Sequence, residues 1–379
     1  MNTVSSNRVL LFVITKADLG GAQANVLDLI RGFYNEYEVH LACGETGALT
    51  KDVANLCIPV HIIPNLKRSI QGIGDLVCIG QCIELIQKIK PSIIHAHSSK
   101  AGIVARISGW ICRVPTVFTA HGWGFSPGTP KRRGAIALVV EKLLAPISTQ
   151  IICVAESDRQ LALRLGVGNQ KTLTTIYYGI PDVSMGLAET SKQPVRLVMV
   201  ARFNEQKDQE TLLKAIAQLS NPSVHLDLIG SGISLEPCQD LTHSLGIEAR
   251  VSFLGDRRDV PKLLTQAQVF ILSTHYEGLP ISILEAMRAG LPVIATHVNG
   301  VPEEVLENKT GLLVPPRDPN SLAQGIAALI QSPILRQQMG QAGRERYQQE
   351  FSLDQMIAKM RVIYEAALNI QNPETNYQR

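Results

Sequence analysis

Two carboxylates eight residues apart, Glu277 and Glu285, are the first feature with chemical content. They lie in Thr274-His275-Tyr276-Glu277-Gly278-Leu279-Pro280-Ile281-Ser282-Ile283-Leu284-Glu285-Ala286. Pro280 and Ile281 predict a helix start, which puts Glu277 in the preceding loop and Glu285 about one turn inside the helix. Backbone N–H groups at Gly278, Leu279 and Ile281 would then be free to meet a phosphate or sugar oxygen. Ionised carboxylates accept hydrogen bonds only, so they suit the vicinal hydroxyls of a ribose or a hexose. A second pair, Arg202 and Lys207 in Val200-Ala201-Arg202-Phe203-Asn204-Glu205-Gln206-Lys207, flanks a turn that leads into another helix. Two cations beside a helix N-terminus make a clamp for a diphosphate.

The first half of the chain carries two further candidates. Asp18-Leu19-Gly20-Gly21-Ala22-Gln23 follows an apolar run and opens a helical pattern. Gly20 and Gly21 allow a sharp turn and close approach of an anion to exposed N–H groups. The stretch is not GxGxxG, and no acidic residue closes a clear second strand, so a nicotinamide site has little support. His95-Ala96-His97 and Thr119-Ala120-His121-Gly122-Trp123-Gly124-Phe125 end two successive strand candidates. His95 is expected inside the sheet and His97 at the start of the loop. No carboxylate cluster converges on them, so no metal is expected. His121, between small neighbours at a strand's carboxyl end, is the better placed; a neutral imidazole there can donate to a sugar hydroxyl.

These residues need rigid elements behind them. Strand candidates in the first half span 9–14, 38–42, 60–63, 92–95, 116–119, 150–154 and 174–177. Those in the second span 195–201, 224–229, 250–253, 269–272, 292–295 and 311–314. Helical patterns lie between most of them, which predicts parallel sheets covered on both faces. The strand-poor stretch from Tyr178 to Pro194 reads as the linker, and from Pro319 the chain is helical with breaks near Ser332 and Phe351. At 379 residues the chain divides into a first domain (1–183), a second domain (184–352) and a terminal helix with its tail (353–379). Two doubly wound domains facing each other suggest an enzyme with two substrates.

Composition narrows the classes. No apolar run approaches the roughly 18–20 residues of a membrane span; the segment 135–147 is interrupted by Glu141 and Lys142 and reads as a buried or interfacial helix. Val9 to Ile14 lacks a cleavage site and reads as a core strand, not a signal peptide. Seven cysteines with no CxxC pair fit buried thiols in a reducing, cytoplasmic setting. Residues 1–185 hold 18 basic and 12 acidic side chains, a net +6 within a chain of +3. That excess suits an anionic partner, and Lys67-Arg68 with Lys131-Arg132-Arg133 are its candidate contacts at an anionic membrane surface. Nucleic-acid binding has no support beyond this mild basicity.

With these motifs placed, the chain resembles the retaining glycosyltransferases of the GT-B fold, family 4 type, over nearly its whole length. The likeness rests on Gly20-Gly21, His121, Arg202 with Lys207, and the E-x7-E pair Glu277 and Glu285. Ile229-Gly230-Ser231-Gly232, Phe253-Leu254-Gly255 and Thr310-Gly311-Leu312-Leu313-Val314 add secondary marks. The resemblance implies an α/β fold of two Rossmann-like domains, the first (1–183) acceptor-binding and the second (184–352) nucleotide-sugar-binding, whose last helix crosses back to the first. It implies a nucleotide diphosphate sugar as co-substrate, no cofactor and no metal. Arg202 and Lys207 would bind the donor diphosphate, helped by Gly21. Glu277 would contact the transferred sugar, Glu285 the ribose, and His121 the sugar near its reacting centre. The region from Thr119 to Arg133 is similar to bacterial enzymes of capsule, exopolysaccharide and O-antigen assembly, whose acceptors are commonly glycans on polyprenyl diphosphate. Where such relatives often carry Asn before Gly ahead of the linker, this chain has Tyr178-Gly179, a position expected to belong to the interdomain turn and to matter little for catalysis. The rival readings are a nucleotide-sugar epimerase of the same architecture and a non-catalytic nucleotide-sugar-binding protein.

Overall fold

The computed structural model describes residues 8–18, 20–67, 72–127, 129–221 and 223–371. Two compact units emerge, 1–179 with 353–379 and 180–352. The first is built on seven strands: β1 (Val9–Ile14), β2 (Glu38–Cys43), β3 (Val60–Ile62), β4 (Ile93–His97), β5 (Thr116–Ala120), β6 (Gln150–Cys153) and β7 (Leu173–Thr175). They lie in the order β3-β2-β1-β4-β5-β6-β7 and every neighbouring pair is parallel. Each crossover carries a helix, namely α1 (Gly21–Phe33), α2 (Ala48–Asn55), α3 (Ile73–Ile89), α4 (Ser99–Cys112), α5 (Lys131–Leu144) and α6 (Glu156–Arg164). The unbroken apolar run of β1 is explained by its two buried faces. Leu10, Phe12 and Ile14 join one core with α1, while Leu11 and Val13 join another with α3 and α4.

The second unit repeats the plan with β8 (Arg196–Val200), β9 (His225–Ile229), β10 (Val251–Phe253), β11 (Val269–Leu272), β12 (Val293–Thr296) and β13 (Gly311–Val314). Their order is β10-β9-β8-β11-β12-β13, again all parallel. Its helices are α7 (Gln209–Ala217), α8 (Leu235–Ser244), α9 (Val260–Gln266), α10 (Ile281–Arg288), α11 (Val301–Glu304), α12 (Pro319–Gln331) and α13 (Pro333–Glu350). α7 and α12 are capped by Asp208 and Asp318, whose carboxylates accept N–H groups of their first turns. A last helix, α14 (Leu353–Gln371), belongs to the first unit. Its Met356, Met360, Ile363 and Tyr364 fill the α1 side of that core, and Arg361 makes a two-pronged ion pair with Glu36 at 2.6 and 3.0 Å.

The division falls at Gly179–Ile180, four residues before the boundary expected from composition. The reason is local bonding. Ile180 N–H donates to the Phe351 carbonyl at 3.0 Å, Tyr347 donates to the Ile180 carbonyl at 3.0 Å, and Arg288 donates to that of Pro181 at 2.9 Å. Residues 180–182 are therefore tied to the second unit, although they carry linker composition. All seven cysteines are free thiols, five of them buried. Among the described residues no helix is long and apolar enough to cross a membrane.

Candidate active site

In a doubly wound sheet the strand order reverses at one point, and the loops that diverge there leave a crevice at the carboxyl edge. In the second unit that point lies between β8 and β11, which pair directly. The loop after β8 carries Arg202 and Lys207; the loop after β11 carries Glu277. The two loops are zipped by backbone bonds. Asp208 N–H donates to the Ser273 carbonyl at 3.0 Å and His275 N–H to that of Gln206 at 2.9 Å, with an antiparallel bridge between Lys207 and Thr274.

This zipper delivers the Lys207 ammonium to the Glu277 carboxylate as an ion pair. The two side chains are only 12% and 7% exposed. Thr274 Oγ1 donates to Glu277 Oε1 at 2.9 Å, and Gln206 Nε2 donates to Oε2 at 3.2 Å and to the Tyr276 carbonyl at 2.8 Å. Glu277 is thus held by one cation and two neutral donors. Arg202 differs: it is exposed, its carbonyl accepts from Gln209 Nε2 at 3.0 Å, and its guanidinium has no partner among the described residues. A free fork of five donors beside a nearly buried ammonium can take up a multiply charged anion.

Beside them, Gly230 and Gly232 stand at φ 132° and 145°, with their Cα atoms packed toward the carbonyls of Ala201 and Phe203. Only glycine fits there, because a side chain would be strained by conformation and blocked by backbone. Gly278 is half-buried and Leu279 buried, and Ile281 opens α10. Pro280 supplies no side-chain cap to that helix, so its start keeps N–H groups for an anion. Glu285 does not join the Lys207 cluster. It borders a cavity of about 200 Å³ with Met185, Leu187, Leu264 and Arg288, and its carboxyl is raised because desolvation outweighs the nearby Arg288 guanidinium.

One carboxyl here escaped the sequence reading. Glu304, at the end of α11, is fully buried, and neither carboxyl oxygen has a hydrogen-bond partner among the described residues. Burial, reinforced by the charges of Glu277 and Glu303, pushes its pKa well above the ordinary range against the pull of Lys207 and Arg346. Glu304 is therefore a neutral acid near the Lys207–Glu277 pair. Its only sequence signal was a second glutamate in Pro302-Glu303-Glu304, which looks like a solvated face.

In the first unit the reversal lies between β1 and β4. Gly20 and Gly21 follow β1 and open α1 without a side-chain cap or an acid in the first turn. Gly20 is extended, at φ 176°, so its backbone does not require glycine; what the residue contributes is space. Both histidines of His95-Ala96-His97 belong to β4, which corrects the expectation that His97 starts a loop. His95 is a core residue, with Nδ1 at 2.6 Å from the Tyr364 hydroxyl and Nε2 at 2.7 Å from Thr119 Oγ1. His97 Nδ1 lies 3.0 Å from His121 Nε2, and His121 Nδ1 is hydrogen-bonded to the Tyr178 hydroxyl. Burial drives the pKa of His95 and of His121 down to about 3, and that of His97 well below its usual value. His121 is therefore neutral, yet both of its ring nitrogens are taken by the protein. To donate to a sugar hydroxyl it must give up one of these bonds. Tyr178, expected from sequence in the interdomain turn, is the residue that occupies Nδ1, and 57 residues of separation hid the contact.

Comparisons with known proteins agree with this arrangement. Residues 19–182 match the family profile described as Glycosyltransferase Family 4, and residues 188–346 match that described as Glycosyl transferases group 1. An Escherichia coli protein named UDP-Gal:alpha-D-GlcNAc-diphosphoundecaprenol alpha-1,3-galactosyltransferase is 26% identical over 91% of this chain and 94% of its own length. The O-antigen biosynthesis glycosyltransferase WbnH of Escherichia coli is 28% identical over 80% of this chain and 85% of its own. In fold, the chain is similar to Anabaena HepE, solved in complex with UDP-glucose, with a TM-score of 0.80 at 23% identity over 93% of this chain and 99% of that one. It is also similar to the sucrose-phosphate synthase of Thermosynechococcus elongatus, with a TM-score of 0.79 at 22% identity over 95% and 98%. With two parallel α/β units of GT-B type and both halves matched, the chain belongs to the family 4 (group 1) glycosyltransferases.

Proposed function

We propose that this enzyme transfers a sugar, with retention of anomeric configuration and without a metal, from a nucleotide diphosphate sugar to a glycan on a polyprenyl diphosphate carrier. The reaction would serve bacterial surface polysaccharide assembly in the cytoplasm, where free thiols stay reduced. The observation that carries the reading is the pairing of Lys207 with Glu277 at the strand switch point, with Arg202, whose guanidinium has no partner among the described residues, on the same loop as Lys207. The relatives support the chemistry by what they are named for: a UDP-galactose donor and a diphosphoundecaprenol acceptor in one, bound UDP-glucose in another.

Departure of the nucleoside diphosphate leaves negative charge on a phosphate oxygen, and cations fixed in advance stabilise it without reorganisation. Arg202 and Lys207 are those cations, with the uncapped start of α10 behind them. As Lys207 turns toward phosphate, the Glu277 carboxylate is released to accept the hydroxyls of the transferred sugar, still positioned by Thr274 and Gln206. Glu285 accepts the ribose hydroxyls at the mouth of its cavity. No carboxylate is assigned to the opposite sugar face. The acceptor hydroxyl attacks on the leaving-group side and gives its proton to the departing phosphate oxygen, which yields retention in one displacement.

Arg202→Ala tests this directly. Release of nucleoside diphosphate at saturating donor is expected to fall about 10²–10³-fold, the range for removing one preorganised charge donor, with the melting temperature unchanged because Arg202 is exposed. Unchanged turnover removes the clamp. Full activity after exhaustive chelation is expected, and activity that returns only with added divalent ion contradicts the metal-free step.

A further inference from the structure

Helix α5 packs Leu138 and Leu144 inward and carries a second apolar row on its outer side. Ile136, Val139 and Leu143 are 60%, 56% and 71% exposed and recur at helical spacing, so they form one outward stripe. The one acidic residue of the helix, Glu141, points inward. Its carboxylate grips the buried Arg106 guanidinium through two bonds of 2.7 and 3.0 Å, and Arg106 lies 4.2 Å over the Phe118 ring. Basic residues flank the stripe, with Lys131, Arg132 and Arg133 exposed in the first turn and Lys142 in the last. Cations in a first turn oppose the helix dipole, so local helix stability does not account for them.

The neighbouring helices continue the pattern. α3 packs on α4 and α4 on α5, and all three cover one face of the first sheet. Trp110 and Ile111 of α4 and Ile73, Leu76 and Val77 of α3 are exposed. α4 contains no acidic residue, whereas α3 exposes Glu84, so the α3 end marks the edge of the face. The sequence showed Glu141 and Lys142 interrupting an apolar run, whereas the fold removes the glutamate from the surface and leaves apolar and basic groups outside. Of the basic pairs expected at a membrane, Lys67 is exposed while Arg68 lies outside the described residues.

We propose that the α5 face docks on an anionic lipid bilayer, with Ile136, Val139 and Leu143 entering the acyl boundary and Lys131, Arg132 and Arg133 lying at the phosphate level. Charge complementarity selects this occupant. An apolar stripe bordered by cations, with no exposed carboxylate on α5 or α4, matches an interface of hydrocarbon and phosphate, whereas a second copy of the same face would set cation against cation. The inference goes beyond sugar transfer, and it is read without any sugar substrate, so it can fail while the transfer reading stands.

Co-sedimentation with vesicles of phosphatidylcholine alone, and of phosphatidylcholine with phosphatidylglycerol, tests it. The wild type is expected to pellet with the second and remain free with the first. Ile136→Ser with Leu143→Ser should weaken binding by about tenfold or more, since each removes an apolar side chain from the lipid, with an unchanged circular dichroism melt. Lys131→Glu with Arg133→Glu should abolish binding at low salt. The proposal is overturned if the wild type ignores phosphatidylglycerol, or if the serine variant pellets like the wild type. It is equally overturned if the wild type is a dimer that the serine substitutions convert to monomer without any lipid effect.

Discussion

Replacing Lys207 by Met and Glu277 by Gln, singly and together, probes the pair at the centre of the second unit. Lys207→Met leaves a carboxylate that is 7% exposed with only the Thr274 hydroxyl and the Gln206 amide as donors. Removing one partner of a buried pair costs about 3–5 kcal/mol, and the two remaining donors place this variant near about 3 kcal/mol. Glu277→Gln keeps the bonds of its shape, and the Lys207 ammonium can swing toward water on its flexible stem, so about 2 kcal/mol is expected. The double variant holds no uncompensated charge. It should lose about 3 kcal/mol rather than the additive 5 or so, a coupling of about 2 kcal/mol. Urea unfolding followed by far-ultraviolet circular dichroism is the assay. Both tryptophans, Trp110 and Trp123, belong to the first unit, so their fluorescence would miss the event. Strictly additive losses would refute the pairing. Turnover gives a second reading, since Lys207→Met should lower kcat/KM by about 10²–10³-fold.

Other consequences concern titration and the histidine chain. His95, His97 and His121 are held neutral in the folded state, while the unfolded chain protonates near pH 6.5. Stability is therefore full above pH 6.5 and falls as pH drops toward about 3; the slope approaches about 1.4 kcal/mol per pH unit for each histidine. Urea midpoints that stay flat from pH 6.5 to 4.5 would contradict their burial as neutral rings. Glu304 has the opposite sign: its raised folded pKa makes stability fall as pH climbs from the unfolded value of 4.5 through the folded one. Glu304→Gln should remove that decline, so that stability no longer falls as pH rises above 4.5; an undiminished decline in the variant would place its origin elsewhere. Tyr178→Phe leaves His121 Nδ1 buried without its partner at a cost of about 1–3 kcal/mol. The His121 ring-nitrogen resonances should shift in that variant, and identical spectra would disprove the bond.

How far the sequence carried depended on the range of the interaction. Central strands such as β1 and β11 are buried on both faces and read as continuous apolar runs, and the short edge strands β3, β7 and β10 were marked by the alternation with helical patterns; the same strand–turn–helix rhythm placed Arg202, Lys207 and Glu277 at the carboxyl edge of the sheet. The Lys207–Glu277 contact itself spans 70 residues and became visible only through the direct pairing of β8 with β11. Side-chain direction was harder still. Glu141 read only as an interruption of an apolar run, because its partner, Arg106, comes from another helix. Tyr178 looked like turn filler because its ring meets His121 across the unit. Glu277 and Glu285 looked like partners in one loop–helix motif, but one sits in an ion-pair cluster and the other at a cavity wall.

The central claim is retaining, acceptor-dependent transfer from a nucleotide sugar. Proton magnetic resonance of the product formed from an α-linked donor sugar and a polyprenyl-diphosphate-linked saccharide tests it most directly, through the anomeric coupling of the newly attached residue. An α-anomer that appears only when acceptor is present is expected. A β-anomer, or conversion of donor with no acceptor in the tube, would contradict it.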